Sequence, residues 1–196
     1  MILGTKKLTI NRKLIVFVAA CVGGFLLYLW LVFYGIGSLS GGLANKIIKE
    51  GVFSNVDPQK TTTGELEGKL GKPVGREKSG NTETIFYNSS QKYQYEFAWT
   101  QNGKVIATKE RVPDNATEDQ FRKNLGNPEL TLYDSGIIGA SWLVFLNKGV
   151  AIRTSENRVF VLVRFSPQTK KVFLANIAPV VGMSTEKPKE GPEPNP

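Results

Sequence analysis

The chain has few residues with which to do chemistry. It contains no histidine and a single cysteine, Cys21. This removes the commonest general base, the commonest metal ligand and the usual side-chain pH switch. Neither a Ser-His-Asp nor a Cys-His arrangement can be assembled within the chain, and zinc sites seldom rest on carboxylates alone. No EF-hand loop and no Gly-rich phosphate loop occurs. The acid pairs Glu65/Glu67 and Glu118/Asp119 stand at expected helix starts, where the helix dipole favours them. Serine and lysine are abundant, so a Ser-Lys hydrolase remains a third reading, although no pair is marked out. The expectation is a protein that is not an enzyme, with no metal and no cofactor.

Recognition chemistry is better represented. Tyr93, Tyr95, Phe97 and Trp99 alternate with Gln94, Glu96 and Ala98. That period of two describes a strand with one aromatic face. Exposed, the stripe is a binding surface, because Tyr and Trp bury large areas at little entropic cost. Turned inward, it is core. Trp142 and Phe145 carry the same two readings. The candidate partner-binding residues are Tyr93, Tyr95, Trp99 and Trp142.

The elements that would position these residues recur at an offset of 55: Thr62–Pro73 reads TTGELEGKLGKP and Thr117–Pro128 reads TEDQFRKNLGNP. Thr62 with Glu65, and Thr117 with Gln120, fit capping boxes. Leu66/Leu70 and Phe121/Leu125 share one helical face, and Gly71 and Gly126 supply left-handed turns that end each helix. Strands are expected at Thr84–Tyr87, Tyr93–Trp99 and Val105–Thr108, then at Trp142–Leu146, Val150–Arg153, Val159–Phe165 and Lys171–Leu174. Asn102-Gly103 is a hairpin signal, and Val159–Val163, apolar on both faces, is expected to be a doubly covered central strand. The sequence-based fold class is α+β: an N-terminal single transmembrane helix, then two tandem α-β-β-β(-β) repeats, with an antiparallel sheet and helices on one face.

Leu70-Gly71-x-Pro73, a strand ending in Tyr87, then Phe97 and Asn102-Gly103-x-Val105 resemble the SmpA/OmlA (BamE-like) domain. They also resemble the repeats of the β-lactamase inhibitor protein. The second copy keeps Leu125, Gly126 and Pro128. The resemblance covers roughly residues 59–178 and implies a bacterial, extracytoplasmic, non-catalytic domain that binds other proteins. Unlike the outer-membrane assembly lipoproteins of that family, this chain carries two copies and an apolar run in place of a lipid anchor.

Residues 14–36 (LIVFVAACVGGFLLYLWLVFYGI) carry no charge. As a helix they reach about 35 Å, enough to cross a bilayer. Leu14, Phe17, Phe25, Leu27, Trp30 and Phe33 are the expected anchor residues. The net charge is +8. Lys6, Lys7, Arg12 and Lys13 precede the run and no acid does, which puts the N-terminus in the cytoplasm and the remainder outside. Val18-Ala19-Ala20-Cys21 also resembles a lipobox, and a cleaved signal is a further alternative. Ala19, Ala20, Gly23 and Gly24 have a small-xxx-small spacing that permits a homodimer, although such residues are common in any membrane helix. The rest of the chain holds 21 basic and 17 acidic residues, not the dense basic stripe of a nucleic-acid binder.

The expected organisation is a basic N-terminus (1–13), a transmembrane helix (14–36) and a neck with juxtamembrane segment (37–58). Repeats at 59–112 and 113–178 and a disordered Pro/Glu-rich tail (179–196) follow. The expected role is a membrane-anchored protein-binding or scaffold module of the bacterial cell envelope, in contact with the lipid bilayer and another envelope protein. The alternative is an accessory subunit packing through its transmembrane helix.

Overall fold

The computed structural model describes residues 36–89 and 94–188, with side chains from Gly42 onward. The chain divides into two compact units, Met1–Ser40 and Gly41–Pro196. The sheet lies in the second. It has nine strands in the order β1-β2-β3-β4-β8-β7-β6-β5-β9, antiparallel throughout. The strands are β1 (Gly75–Ser79), β2 (Thr82–Asn88), β3 (Tyr95–Gln101), β4 (Lys104–Arg111), β5 (Leu130–Asp134), β6 (Ser141–Phe145), β7 (Val150–Ser155), β8 (Arg158–Phe165) and β9 (Met183–Ser184). The helices are α1 (Ile36–Glu50), α2 (Thr63–Leu70), α3 (Glu118–Leu125), α4 (Lys170–Asn176) and α5 (Ala178–Val181).

Local chemistry fixes the short helices. Thr62 N–H donates to Glu65 Oε2 at 2.8 Å while Glu65 N–H donates to Thr62 Oγ1 at 3.2 Å, closing the start of α2. Thr117 N–H donates to Gln120 Oε1 at 3.0 Å at the start of α3. Asn102 and Gly103 both take positive φ, as a two-residue hairpin requires.

Both faces of the sheet are packed. On one face, Leu66 of α2 and Phe53 meet Ile85, Tyr87, Ala98 and Val105. On the same face Ala44 and Ile47 of α1 and Phe121 of α3 meet Leu143, Phe145, Ile152 and Leu162. On the opposite face Phe173 of α4, Ile177, and Ala178 and Val181 of α5 cover Trp142, Val144, Val163 and Phe165.

This arrangement corrects the sequence-based fold class. The strands form one continuous sheet, because β4 pairs with β8 over five positions from Ala107↔Phe165 to Arg111↔Val161. Tandem repeats behind a transmembrane helix, with their helices on one face, are not what forms. The helices lie on both faces, because β8 and its neighbours are apolar on both.

The single-pass architecture is corrected as well. Among the described residues no helix is long and apolar enough to cross a membrane. The expected anchor residues Leu14, Phe17, Phe25, Leu27, Trp30 and Phe33 lie outside the described residues. Helix α1 runs through the first part of the expected neck and juxtamembrane segment: it has 15 residues, about 22 Å at 1.5 Å per residue, short of the roughly 30 Å of a hydrocarbon core. It carries Lys46, Lys49 and Glu50 and spends its apolar residues Ala44 and Ile47 on the sheet. The localisation at a bacterial cell membrane rested on that span and is corrected with it.

At the other end, Lys171–Leu174 is helical rather than extended. Thr169 caps α4 through Val172 N–H, and Phe173 and Ile177, four residues apart, reach the core. The expected tail is ordered at its start, where α5 and β9 close the β5 edge through Tyr133↔Ser184 and Asp134↔Met183.

Candidate functional site: an aromatic and cationic sheet face

The second packed face is unevenly covered. Helices α4 and α5 shield its β5–β8 half, and their residues share a cluster with Trp142, Val144 and Phe165. Over β2–β4 the same face ends in aromatic rings. Register explains the row: Gly75↔Phe86, Phe86↔Phe97, Phe97↔Lys109 and Lys109↔Val163 lie side by side across five strands. Phe86 meets Phe97 edge-on, with centroids 5.3 Å apart, and meets Tyr95 edge-on at 6.2 Å. Such contacts orient the rings through their quadrupoles. Tyr95 remains 52% exposed, and Phe86 and Phe97 are partly buried.

Tyr95 stands between two depressions. One, of about 210 Å³, is lined by Phe97, Lys109, Arg111, Arg153 and Val161 along with Tyr95 itself. The other, of about 280 Å³, lies against Val74, Arg76 and Phe86. Lys109 Nζ sits 4.8 Å from the centre of the Phe97 ring and has no carboxylate partner at ion-pair distance among the described residues. Burial, then the nearby Arg153 charge, holds the Lys109 ammonium below its ordinary pKa of 10.5, with Asp134 and Glu96 pulling the other way. Arg153 is tied to Asp134 at 3.4 Å and lies over Trp142. Arg111 pairs with Asp114 at 3.3 Å.

The structure sorts the aromatic candidates. Tyr95 is on the open face. Trp99 is 7% exposed and belongs to the core, stacked on Phe97 at 6.0 Å. Trp142 is 1% exposed and donates its indole N–H to Asp134 Oδ2 at 3.1 Å. As contact residues Trp99 and Trp142 are therefore corrected: helices of the described chain already occupy their surroundings. Tyr93 lies outside the described residues. Sequence reasoning missed Phe86, Lys109, Arg111 and Arg153. Phe86 carried only a weak signal, its place between Ile85 and Tyr87, which face the core on the other side of the sheet. The cations carried none, because their meeting depends on the β4–β8 seam.

A second cleft, of about 430 Å³, opens beside α1 on the other face and contains Glu96 and Glu110. Both carboxylates are engaged. Glu96 accepts from Ser89 Oγ at 2.8 Å and Arg111 N–H at 2.9 Å. Burial is the main cause that raises its pKa above 4.5, and Glu110 adds to the rise. Glu110 accepts from Phe53 N–H at 3.3 Å and pairs with Arg164 at 2.5 Å. Arg164 in turn donates to the carbonyls of Ile48 at 2.7 Å and Ile47 at 3.1 Å, where a cation offsets the negative end of α1. These acids hold the fold together. Among the described residues, no group of three or more Cys, Asp or Glu side chains is placed to hold a metal.

The class defined by fold and surface is an α+β protein on one antiparallel sheet, with half of one face left aromatic. No family model matches the sequence, and no curated protein matches it in sequence. Among solved structures, it is similar to the DUF4309 family protein YjgB of Bacillus subtilis, at 12% identity and a TM-score of 0.47 over 66% of this chain and 97% of that one. It is also similar to an extracellular SCP-domain protein of Bacillus anthracis, at 16% identity and a TM-score of 0.39 over 61% of this chain and 46% of that one. A cysteine-rich secretory protein of Staphylococcus aureus matches at 13% identity and a TM-score of 0.35, over 76% of this chain and 55% of that one. None of the three is named as an SmpA/OmlA protein, so the BamE-like label finds no support among them. With TM-scores below 0.5, these likenesses carry no argument about what this chain does.

Proposed function

We propose that the chain is a non-catalytic protein-binding module whose contact surface is the open face of β2–β4. One observation carries this reading: Tyr95, Phe86 and Phe97 form an edge-to-face ladder at the surface, with a depression on either side of Tyr95. Aromatic residues beside arginine are the usual energetic centre of a protein interface. Lys109 and Arg111 add positive charge, so the partner segment that fits carries an apolar side chain next to a carboxylate. Such an anion would give the ammonium of Lys109 a carboxylate at ion-pair distance, in addition to the more distant Asp134 and Glu96 charges.

Photo-crosslinking in the native host tests this. A benzophenone amino acid at Tyr95 is expected to give a discrete adduct that the same probe at Glu156, in the β7–β8 turn, does not give. Equal labelling from both sites, or none from Tyr95, would sink the proposal.

A further inference from the structure

Beside Tyr95, on the contact surface, one depression has a glycine for its floor. Strand β1 pairs Gly75 with Phe86, so both residues face the same side of the sheet. The hollow of about 280 Å³ lies over Gly75, with Val74, Phe86 and Tyr95 as apolar walls and Arg76 and Glu77 completing its lining. Val74 is 50% exposed and Tyr95 52%, so the walls are open to a partner.

Neither the backbone nor the packing requires glycine at this position. Gly75 does not take positive φ. A Cβ built on it would meet one atom among the described residues, Phe86 Cδ2 at 3.6 Å, an ordinary van der Waals contact. A glycine inside a strand gives up side-chain packing and often marks a place where another group approaches the backbone.

Strand register supplies a spacing. Gly75, Phe86, Phe97 and Lys109 lie side by side on β1, β2, β3 and β4. Three interstrand steps of about 4.8 Å put the hollow about 14 Å from Lys109. In an extended chain, residues i and i+4 point to the same side about 13 Å apart, with i+2 between them. Charge supplies a direction. Glu77 lines the hollow, whereas Lys109, Arg111 and Arg153 line the depression at the other end. An acid is repelled at the first and attracted at the second.

We infer, on the reading of this face as the contact surface, that it selects an extended protein segment of pattern apolar-x-apolar-x-acid lying across β1–β4. The first apolar side chain fills the hollow over Gly75. The second rests on the rings of Phe86 and Phe97, and the carboxylate meets Lys109.

Synthetic peptides titrated against the full-length chain by amide NMR test the spacing. Acetyl-Leu-Ser-Leu-Ser-Glu-amide is expected to bind about tenfold more tightly than the same peptide with Gly in first place, the gain from burying one leucine side chain. Moving the Glu to third place, with Leu in fifth, should lose that gain. In Gly75→Val, whose side chain fills the hollow, the Leu-first and Gly-first peptides should bind alike. Gly75→Ala, which the 3.6 Å clearance admits, should shrink the gain and keeps the test open should the valine variant misfold. Equal binding of the two peptides to the unsubstituted chain, no saturable shift with either, or a leucine gain that survives in both variants would overturn the inference. A Tyr95 adduct obtained alongside any of these results would leave the surface standing and remove only the spacing. Absence of the adduct would remove both.

Discussion

The two halves of the sheet start alike and are finished differently. Each opens with a capped helix of eight residues and continues into four antiparallel strands. After β8 the chain adds α4, α5 and β9, and these cover the β5–β8 half of one face. Nothing comparable follows β4, where the chain passes to α3 on the opposite face. The same kind of apolar surface is therefore core in one half and, around Phe86, Tyr95 and Phe97, available in the other. An exposed aromatic ladder can be the remainder of a packing scheme that the chain completes only once.

Substitutions separate the halves. The largest expected effect is Phe173→Ala, which removes a fully buried ring packed at a tilt against Phe165, with centroids 4.7 Å apart. It should cost about 3–5 kcal/mol in denaturant unfolding. A loss below about 1 kcal/mol, the scale of a surface change, would mean that α4 is not core and that the halves do not differ. Next, Thr62→Ala removes the side chain that accepts from Glu65 N–H and should cost about 1 kcal/mol. Thr117→Ala should cost a similar amount, because Thr117 and Gln120 form the matching capping box at the start of α3. A loss at only one of the two positions would break the likeness between the two helix starts.

Tyr95→Ala should change stability by no more than about 0.5 kcal/mol while abolishing the Tyr95-face adduct when the crosslinker is moved to Phe86. A stability loss as large as that of Phe173→Ala would return Tyr95 to the core. The smallest effect is a pH slope. Lys109 titrates below 10.5 when folded. Between its folded value and 10.5 the unfolded chain binds the extra proton, so stability should rise with pH through that window. Lys109→Met should remove this component, and an unchanged slope in the variant would contradict the burial of the ammonium.

Local elements were legible in the sequence because their causes are local. Thr62 and Glu65 lie three apart, Asn102-Gly103 marks its turn, and Val159–Val163 has no polar face to offer solvent. Assembly was not legible. Strand β1 reads GREKS, an edge strand exposed along most of its length, and has no apolar period. The run Lys170–Leu174 is too short for period to separate helix from strand, so the Thr169 cap decided it. The meeting of Lys109, Arg111 and Arg153 depends on β4 finding β8, a pairing across about fifty residues that no spacing announces. Tyr95 was legible as a candidate, but its exposure was not, since the same alternation buries Trp99.

Arg164 has a mechanical consequence. It grips the last carbonyls of α1 from β8, a strand flanked by β4 and β7. Tension drawn through α1 therefore enters the sheet at an inner strand, where two ladders must slide at once. It does not enter at β1 or β9, where bonds would unzip singly. Stretched from that end, the sheet should yield in one high-force event, and a staircase of small ruptures would show that the guanidinium is no clamp.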